Sequence, residues 1–145
     1  MQQLNLPVYP FKFKQGLRTQ IFDSIRKKYV MLTPEEWVRQ NFLQYLIQDK
    51  NFPSSLIAVE AGLKYNQLQK RTDVLVYDKL GNPHLLVECK APEVKITQDT
   101  FDQIARYNMV YKVKYLIVTN GLNHFCCRMD YKANTYDYLE GIPDF

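Results

Sequence analysis

Cysteine is scarce in this 145-residue chain and badly placed for cross-linking: Cys89, Cys126 and Cys127 make an odd set, and the last two are neighbours that face opposite ways on any strand. That argues against a disulfide framework. No C-x-x-C pair occurs and only His84 and His124 could add nitrogen ligands, so a structural zinc site has little support, and the thiols read as buried in a reducing compartment. No apolar run approaches the roughly 20 residues that cross a bilayer. The opening Met1-Gln2-Gln3-Leu4-Asn5-Leu6-Pro7 lacks the basic start and apolar stretch of a secretory signal. The expectation is a cytoplasmic protein that makes no use of a membrane. The five glycines contain no G-x-x-x-x-G-K phosphate loop, and there is no internal repeat or low-complexity tract.

The size, 17.2 kDa, suits one folded unit over residues 1–145, with hydrophobic residues at 46% and charged residues at 23%, as in ordinary globular proteins. Charge is unevenly spread. Lys12, Lys14, Arg18, Arg26, Lys27 and Lys28 face only Asp23 within residues 1–32, so this basic extension holds +5 of a net +4 and the core, residues 33–145, is slightly acidic. A basic segment of this kind suits a polyanion such as nucleic acid, with Arg26, Lys27 and Lys28 as its densest cluster, and it equally suits a solvated surface.

To Gln15 the chain has two prolines and no clear period, which predicts a segment wrapped over the body, and Ile21 to Leu32 has the composition of a short strand or hairpin. Thr33-Pro34-Glu35-Glu36 then reads as a helix start, with Thr33 as N-cap, Pro34 at the first helical position and Glu36 completing a capping box. The helix should run to about Asp49, turning Val38, Phe42, Leu43, Tyr45 and Leu46 inward. Glu35 and Arg39 fall near the middle of that inner face. They are either a supporting i, i+4 pair or, since Glu36 is occupied in the cap, Glu35 is a carboxylate available for chemistry. Strand character follows at Ser55 to Glu60, Thr72 to Asp78, His84 to Cys89 and Lys114 to Thr119, with a helix from Gln98 to Tyr111 before the last of these. Further strands are expected at His124 to Asp130 and Tyr136 to Leu139. Helices bracketing a mixed sheet define an α/β fold.

Charge is out of place at one point in this pattern. Glu88 and Lys90 stand two residues apart at the end of an apolar strand, so both point from one face of a sheet. Lys79-Leu80-Gly81-Asn82 is a turn signal that returns this strand antiparallel beside the preceding one, which brings Asp73 towards Glu88. Two carboxylates that close repel unless a divalent cation or a proton sits between them. With a lysine alongside, the set is that of a hard-metal site able to hydrolyse a phosphodiester. The spacing alone proves nothing, since Glu93-Val94-Lys95 repeats it in a loop.

These residues resemble the PD-(D/E)xK nucleases, and in particular the nuclease domain at the N-terminus of the restriction (motor) subunit of type I restriction enzymes. The matching stretches are Thr33-Pro34-Glu35-Glu36-Trp37-Val38-Arg39-Gln40, Lys70-Arg71-Thr72-Asp73-Val74, Leu86-Val87-Glu88-Cys89-Lys90-Ala91-Pro92, Phe101-Asp102-Gln103-Ile104-Ala105-Arg106-Tyr107-Asn108 and Val118-Thr119-Asn120-Gly121. The resemblance implies a restriction-endonuclease-like mixed β-sheet flanked by helices. It implies that Asp73, Glu88 and the backbone carbonyl of Cys89 hold Mg²⁺, for which Mn²⁺ can substitute, and that Lys90 positions or activates the attacking water. Glu35 resembles the family's helical glutamate, and Gln103 with Tyr107 its Gln-x-x-x-Tyr element, which lines the site and touches the DNA backbone. Arg39, with the basic cluster of Arg26, Lys27 and Lys28, is expected on the DNA side. Glu60 could join the acidic cluster or occupy a plain edge position.

The resemblance departs from the full subunit, because without a phosphate loop this chain cannot drive DNA translocation with ATP, and it ends before any target-recognition region. The expected activity is therefore a metal-dependent DNA endonuclease, standing alone, pairing with itself, or directed by restriction-modification partner subunits. A catalytically silent nucleic-acid-binding or assembly module on the same fold is the alternative, and an enzyme acting on RNA or a branched junction is a third.

Overall fold

In the computed structural model the apolar runs form strands and the capped segments form helices, in the order β1 (Phe13–Lys14), β2 (Gln20–Asp23), β3 (Lys28–Met31), α1 (Pro34–Gln44), β4 (Ile57–Tyr65), β5 (Leu68–Tyr77), β6 (Pro83–Cys89), α2 (Gln98–Tyr107), β7 (Tyr115–Thr119), β8 (His124–Asp130) and β9 (Thr135–Leu139). The structure describes residues 1–65 and 68–145, and for residues 61–65 and 68–72 the backbone only. The Lys70-Arg71-Thr72 side chains of the family resemblance therefore lie outside what is described. Among the described residues no helix is long and apolar enough to cross a membrane.

Six strands form one sheet in sequence order, β4-β5-β6-β7-β8-β9. Only β6 and β7 run parallel, because the chain between them crosses over through α2; every other pair in this sheet is antiparallel. Alternation along the strands divides the core. Val74, Val76, Leu85 and Val87 pack towards Val38 and Phe42 of α1 and Leu46 just beyond it, whereas Leu75, Leu86 and Leu116 pack towards Phe101, Ile104 and Ala105 of α2. The result is an α/β restriction-endonuclease-like mixed sheet between helices, as the sequence predicts. All three cysteines are free and buried.

Helix α1 starts as expected: Thr33 is extended, its hydroxyl accepts the Glu36 N–H at 3.0 Å, and Pro34 occupies the first turn. The capping box is not what occupies Glu36. The Thr33 N–H donates to the Met31 carbonyl at 3.2 Å, and the Glu36 carboxylate turns inward to two arginines and Gln40. A buried guanidinium offers a carboxylate more than a single backbone N–H can. The helix reaches Asp49, as expected, but its last residues, Tyr45–Asp49, widen into a π-turn closed by Lys50 N–H to Tyr45 O at 3.2 Å. Helix α2 stops four residues short of the expected Tyr111. At Asn108 the side-chain amide bonds the Ile104 carbonyl at 3.0 Å and the backbone leaves the α region, after which a 3₁₀ turn, Met109–Tyr111, ends on Lys112 in the left-handed region.

The N-terminal segment wraps the body as its sequence predicts. Leu4 is buried in the α1-side core, and the Asn5 N–H donates to Gly121 O at 2.8 Å. Gly121 has φ +85°, and a Cβ there would stand 2.8 Å from Leu4 Cδ2 and 3.1 Å from Val38 Cγ2. Strand β2 pairs with both β1 and β3 in a separate three-stranded sheet. Its turn is organised by the fully buried Asp23, whose Oδ1 accepts the N–H groups of Ile25 and Arg26, each at 2.8 Å. Asp23 Oδ2 takes Arg26 Nε at 2.6 Å and Gln40 Nε2 at 2.9 Å, which fastens the hairpin to α1. Burial raises the Asp23 pKa, but the Arg26 and Gln40 bonds outweigh it and leave the group below its ordinary value.

Two outcomes follow for stability. Gly121→Ala should destabilise the chain by about 1–3 kcal/mol in denaturant titration, because both the backbone and the space are wrong for a methyl group. Asp23→Asn should cost about 1–3 kcal/mol at pH 7, because it removes the charge-assisted bond to Arg26 Nε while Glu36 and Glu60 still pair that guanidinium. A carboxylate with a depressed folded pKa stabilises above its unfolded pKa, about 3.9, and loses that contribution as pH falls through the folded value. The gap between Asp23→Asn and the parent chain should therefore close below pH 4 and stay constant from pH 5 to 8.

Candidate active site

Register places the two acids opposite one another. Val74 pairs with Val87 at the last ladder step of β5 and β6, so one step further Asp73 faces Glu88, and their side chains share a hydrogen bond. The Asp73 carboxylate is fixed at its other edges: Oδ2 accepts the Cys89 N–H at 2.7 Å and Oδ1 accepts Arg39 Nη2 at 2.6 Å. Burial first, and the neighbouring Asp73 second, hold Glu88 well above the ordinary carboxylate range. A proton between the pair therefore does what a cation could do. Lys90, half-buried, is placed by its N–H, which donates to Thr119 O on β7 at 2.8 Å. Its charge favours the ionised forms of both Glu88 and Glu35.

Glu35 reaches in from the first turn of α1 with its side chain 47% exposed, and burial followed by Asp73 raises its pKa against the opposing pull of Arg39 and Lys90. Arg39, expected on the DNA side, is instead interior, with its side chain 5% exposed. Besides Asp73 it binds Glu36 Oε1 at 2.6 Å and lies 3.5 Å from Glu35 Oε2. Burial opposes the charge, but Asp73 and then Glu36 raise the Arg39 pKa above an arginine's ordinary value. Arg26 is likewise committed inside: its guanidinium meets both Glu36 oxygens at 3.1 Å, Asp23 at 2.6 Å and Glu60 at 3.1 Å. Lys27 and Lys28 are the members of that cluster that stand exposed. Glu60 joins the cluster, opposite Asp73 in the β4–β5 register, with φ +52° and no ladder pairing at that step.

Gln103 and Tyr107 share an exposed face of α2, one turn apart. The residue of that helix that enters the site is the next one. Asn108 is 3% exposed, its Nδ2 donates to Glu88 Oε1 at 3.4 Å, and its Oδ1 is buried without a partner. Its position after Tyr107, at the helix end, carried no sequence signal beyond an asparagine where α2 stops. Asp23, Glu36 and Gln40 carry no functional signal in the sequence either, because each reads in isolation as a turn, cap or surface residue.

The carboxylate and amide oxygens present suit a hard divalent cation better than a soft one. Among the described residues no group of three His, Cys, Asp or Glu side chains encloses an ion. Asp73 and Glu88 are the pair that fits, and the orphaned Asn108 Oδ1 beside Glu88 is a further acceptor.

A fragment assigned as the HsdR subunit of a type I restriction enzyme from Vibrio vulnificus YJ016 has the same fold over 78% of this chain, with a TM-score of 0.56 at 20% identity. This chain spans 24% of that structure's length. No curated protein matches the sequence. The model of the type I restriction enzyme R protein N terminus (HSDR_N) matches residues 34–143, from the start of α1 to beyond β9. By that match the chain belongs to the family of type I restriction enzyme R protein N-terminal domains.

Proposed function

We propose that this domain, acting as one unit over residues 1–145, is a metal-dependent deoxyribonuclease of the PD-(D/E)xK type. The observation that carries the reading is the facing of Asp73 and Glu88 at the end of the β5–β6 hairpin, with Lys90 two residues beyond Glu88. Asp73 and Glu88, with the Cys89 carbonyl, are the ligands for Mg²⁺, or Mn²⁺ in its place. A divalent cation supplies Lewis-acid polarisation of the scissile phosphate and makes water acidic enough to attack at neutral pH. Glu88 must give up its proton to act as a ligand, and the Lys90 ammonium favours that ionised form. Lys90 also orients the attacking water and offsets charge that builds on the phosphoryl oxygens. Glu35 borders the same space from α1. Asn108 holds Glu88 Oε1 and so sets the plane of that carboxylate.

DNA is the proposed substrate, with Gln103 and Tyr107 on the exposed α2 face, Lys27 on the β2–β3 turn and Lys28 at the start of β3 as its backbone contacts. Those lysines adjoin Arg26, which is bonded into the site, so positive surface flanks the acidic cleft. The other subunits of a type I restriction-modification assembly, or a second copy of this chain, are the proposed partners.

The test is cleavage of supercoiled plasmid by the purified chain. Nicking with Mg²⁺ or Mn²⁺, none in chelator, and a loss of at least ~10²-fold in Lys90→Ala with unchanged circular dichroism is the expected result. Cleavage by Lys90→Ala at the parent rate refutes the assignment of the site. Salt-sensitive DNA binding with no cleavage under any condition identifies the silent binding module instead.

A further inference from the structure

The guanidinium of Arg39 stands where a second metal would have to stand. Its Nη2 lies 2.6 Å from Asp73 Oδ1 and 3.5 Å from Glu35 Oε2, so one cationic nitrogen already bridges the aspartate and the helical glutamate. In two-ion phosphodiester hydrolysis the ions sit about 3.5–4 Å apart and share a carboxylate. Here one position lies between Asp73 and Glu88, and the carboxylate available to share is Asp73, whose Oδ1 is taken. A Mg²⁺ ion bridging Asp73 and Glu35 would need about 2.0–2.1 Å to an oxygen of each, which is volume that Nη2 fills.

Arg39 is also held against displacement. Its Nη1 bonds Glu36 Oε1 at 2.6 Å and lies 3.8 Å from Glu60 Oε1. Glu36 is itself fixed by Arg26 and by Gln40 at 2.9 Å, and both of these are bonded to the buried Asp23. A side chain 5% exposed within such a chain of bonds cannot swing out without breaking its 2.6 Å contacts to both Glu36 Oε1 and Asp73 Oδ1.

We propose that Arg39 is a built-in cation that takes the place of a second metal, so that this active site works with one divalent ion, bound on the Glu88 side of Asp73. Glu35 then has no ion to ligate directly and shapes the cleft through water. Arg39 is a positioning residue in this scheme: it fixes Asp73 and supplies positive charge that does not wash out in chelator. The inference rests on the nuclease reading above, and the experiment separates the two.

Mn²⁺ binding to the full chain, without DNA, is counted by electron paramagnetic resonance of the free ion, and its position is located by anomalous scattering from soaked crystals. The parent chain and Arg39→Lys should each bind one ion, with a single peak between Asp73 and Glu88. Arg39→Gln, which keeps polarity but removes the charge, should bind two if circular dichroism shows it folded, and Arg39→Gln combined with Glu35→Gln should return to one. Two ions in the parent chain, or a peak bridging Asp73 and Glu35, overturn the inference and leave the nuclease reading standing. A folded Arg39→Gln that still binds one ion also overturns it. No ion bound by the parent chain at millimolar Mn²⁺ removes both readings. If Arg39→Gln does not fold, the parent count and the Arg39→Lys count decide.

Discussion

Like charges forced together at the end of a hairpin are the constraint from which the rest of this structure follows. Asp73 and Glu88 face one another because β5 and β6 are locked in register by Val74, Leu75 and Val76 against Val87, Leu86 and Leu85. Side-chain alternation gives neither acid an alternative face without turning its apolar neighbours out of the core. The repulsion is met in three ways: a shared proton, a backbone N–H from Cys89, and the Arg39 guanidinium. The first two come from β6 and the third from α1, so β5, β6 and α1 are all fixed relative to one another by the same two carboxyl groups.

The positive partner creates its own problem, since a buried guanidinium must be matched in turn. The chain answers by extending the pairing outward, from Arg39 to Glu36, from Glu36 to Arg26 and Gln40, and from these to Asp23 in the N-terminal hairpin. Such a network adds little net stability over an apolar core of equal volume, but removing one member leaves a buried charge alone. Its value lies in position. The carboxylate of Asp73 is held within hydrogen-bond tolerance by groups whose own rotamers are fixed, which is what a site needs if it is to hold an ion with defined geometry. Among the described residues of the network and cleft, the acids Asp23, Glu35, Glu36, Glu60, Asp73 and Glu88 outnumber the bases Arg26, Arg39 and Lys90.

Local rules made the scaffold legible. Thr33 and Pro34 mark the start of α1, Lys79 to Asn82 marks the hairpin turn, and the spacing of Glu88 and Lys90 places both on one side of β6; from these alone the facing of Asp73 and Glu88 can be worked out. What was not legible depends on partners far away in sequence. Glu36 satisfies every local criterion for a cap, and nothing near it in the chain announces that Arg26, ten residues earlier, competes for it. Arg39 reads as an i, i+4 partner of Glu35 on the inner face of α1, and only β5 laid beside that helix supplies Asp73. Asn108 looks like the tail of a helix, and its place against Glu88 arises only because the helix ends early and the 3₁₀ turn keeps the amide inward.

The N-terminal extension shows why a count of basic residues could not settle its purpose. Arg26 and Lys27 are adjacent and carry the same charge, yet one is bonded to three carboxylates in the interior and the other stands in solvent with φ +56°. A tight turn makes that division possible: Asp23 gathers the N–H groups of Ile25 and Arg26, which points the Arg26 side chain towards α1 and sends the next two residues outward. The hairpin therefore joins the exposed Lys27 and Lys28 to Asp73 through fixed ionic contacts. Any polyanion held on those lysines is held at a defined distance from the carboxylates, because no flexible linker intervenes. Net charge describes the attraction of such a surface; the ion pairs beneath it determine where the attracted chain is presented.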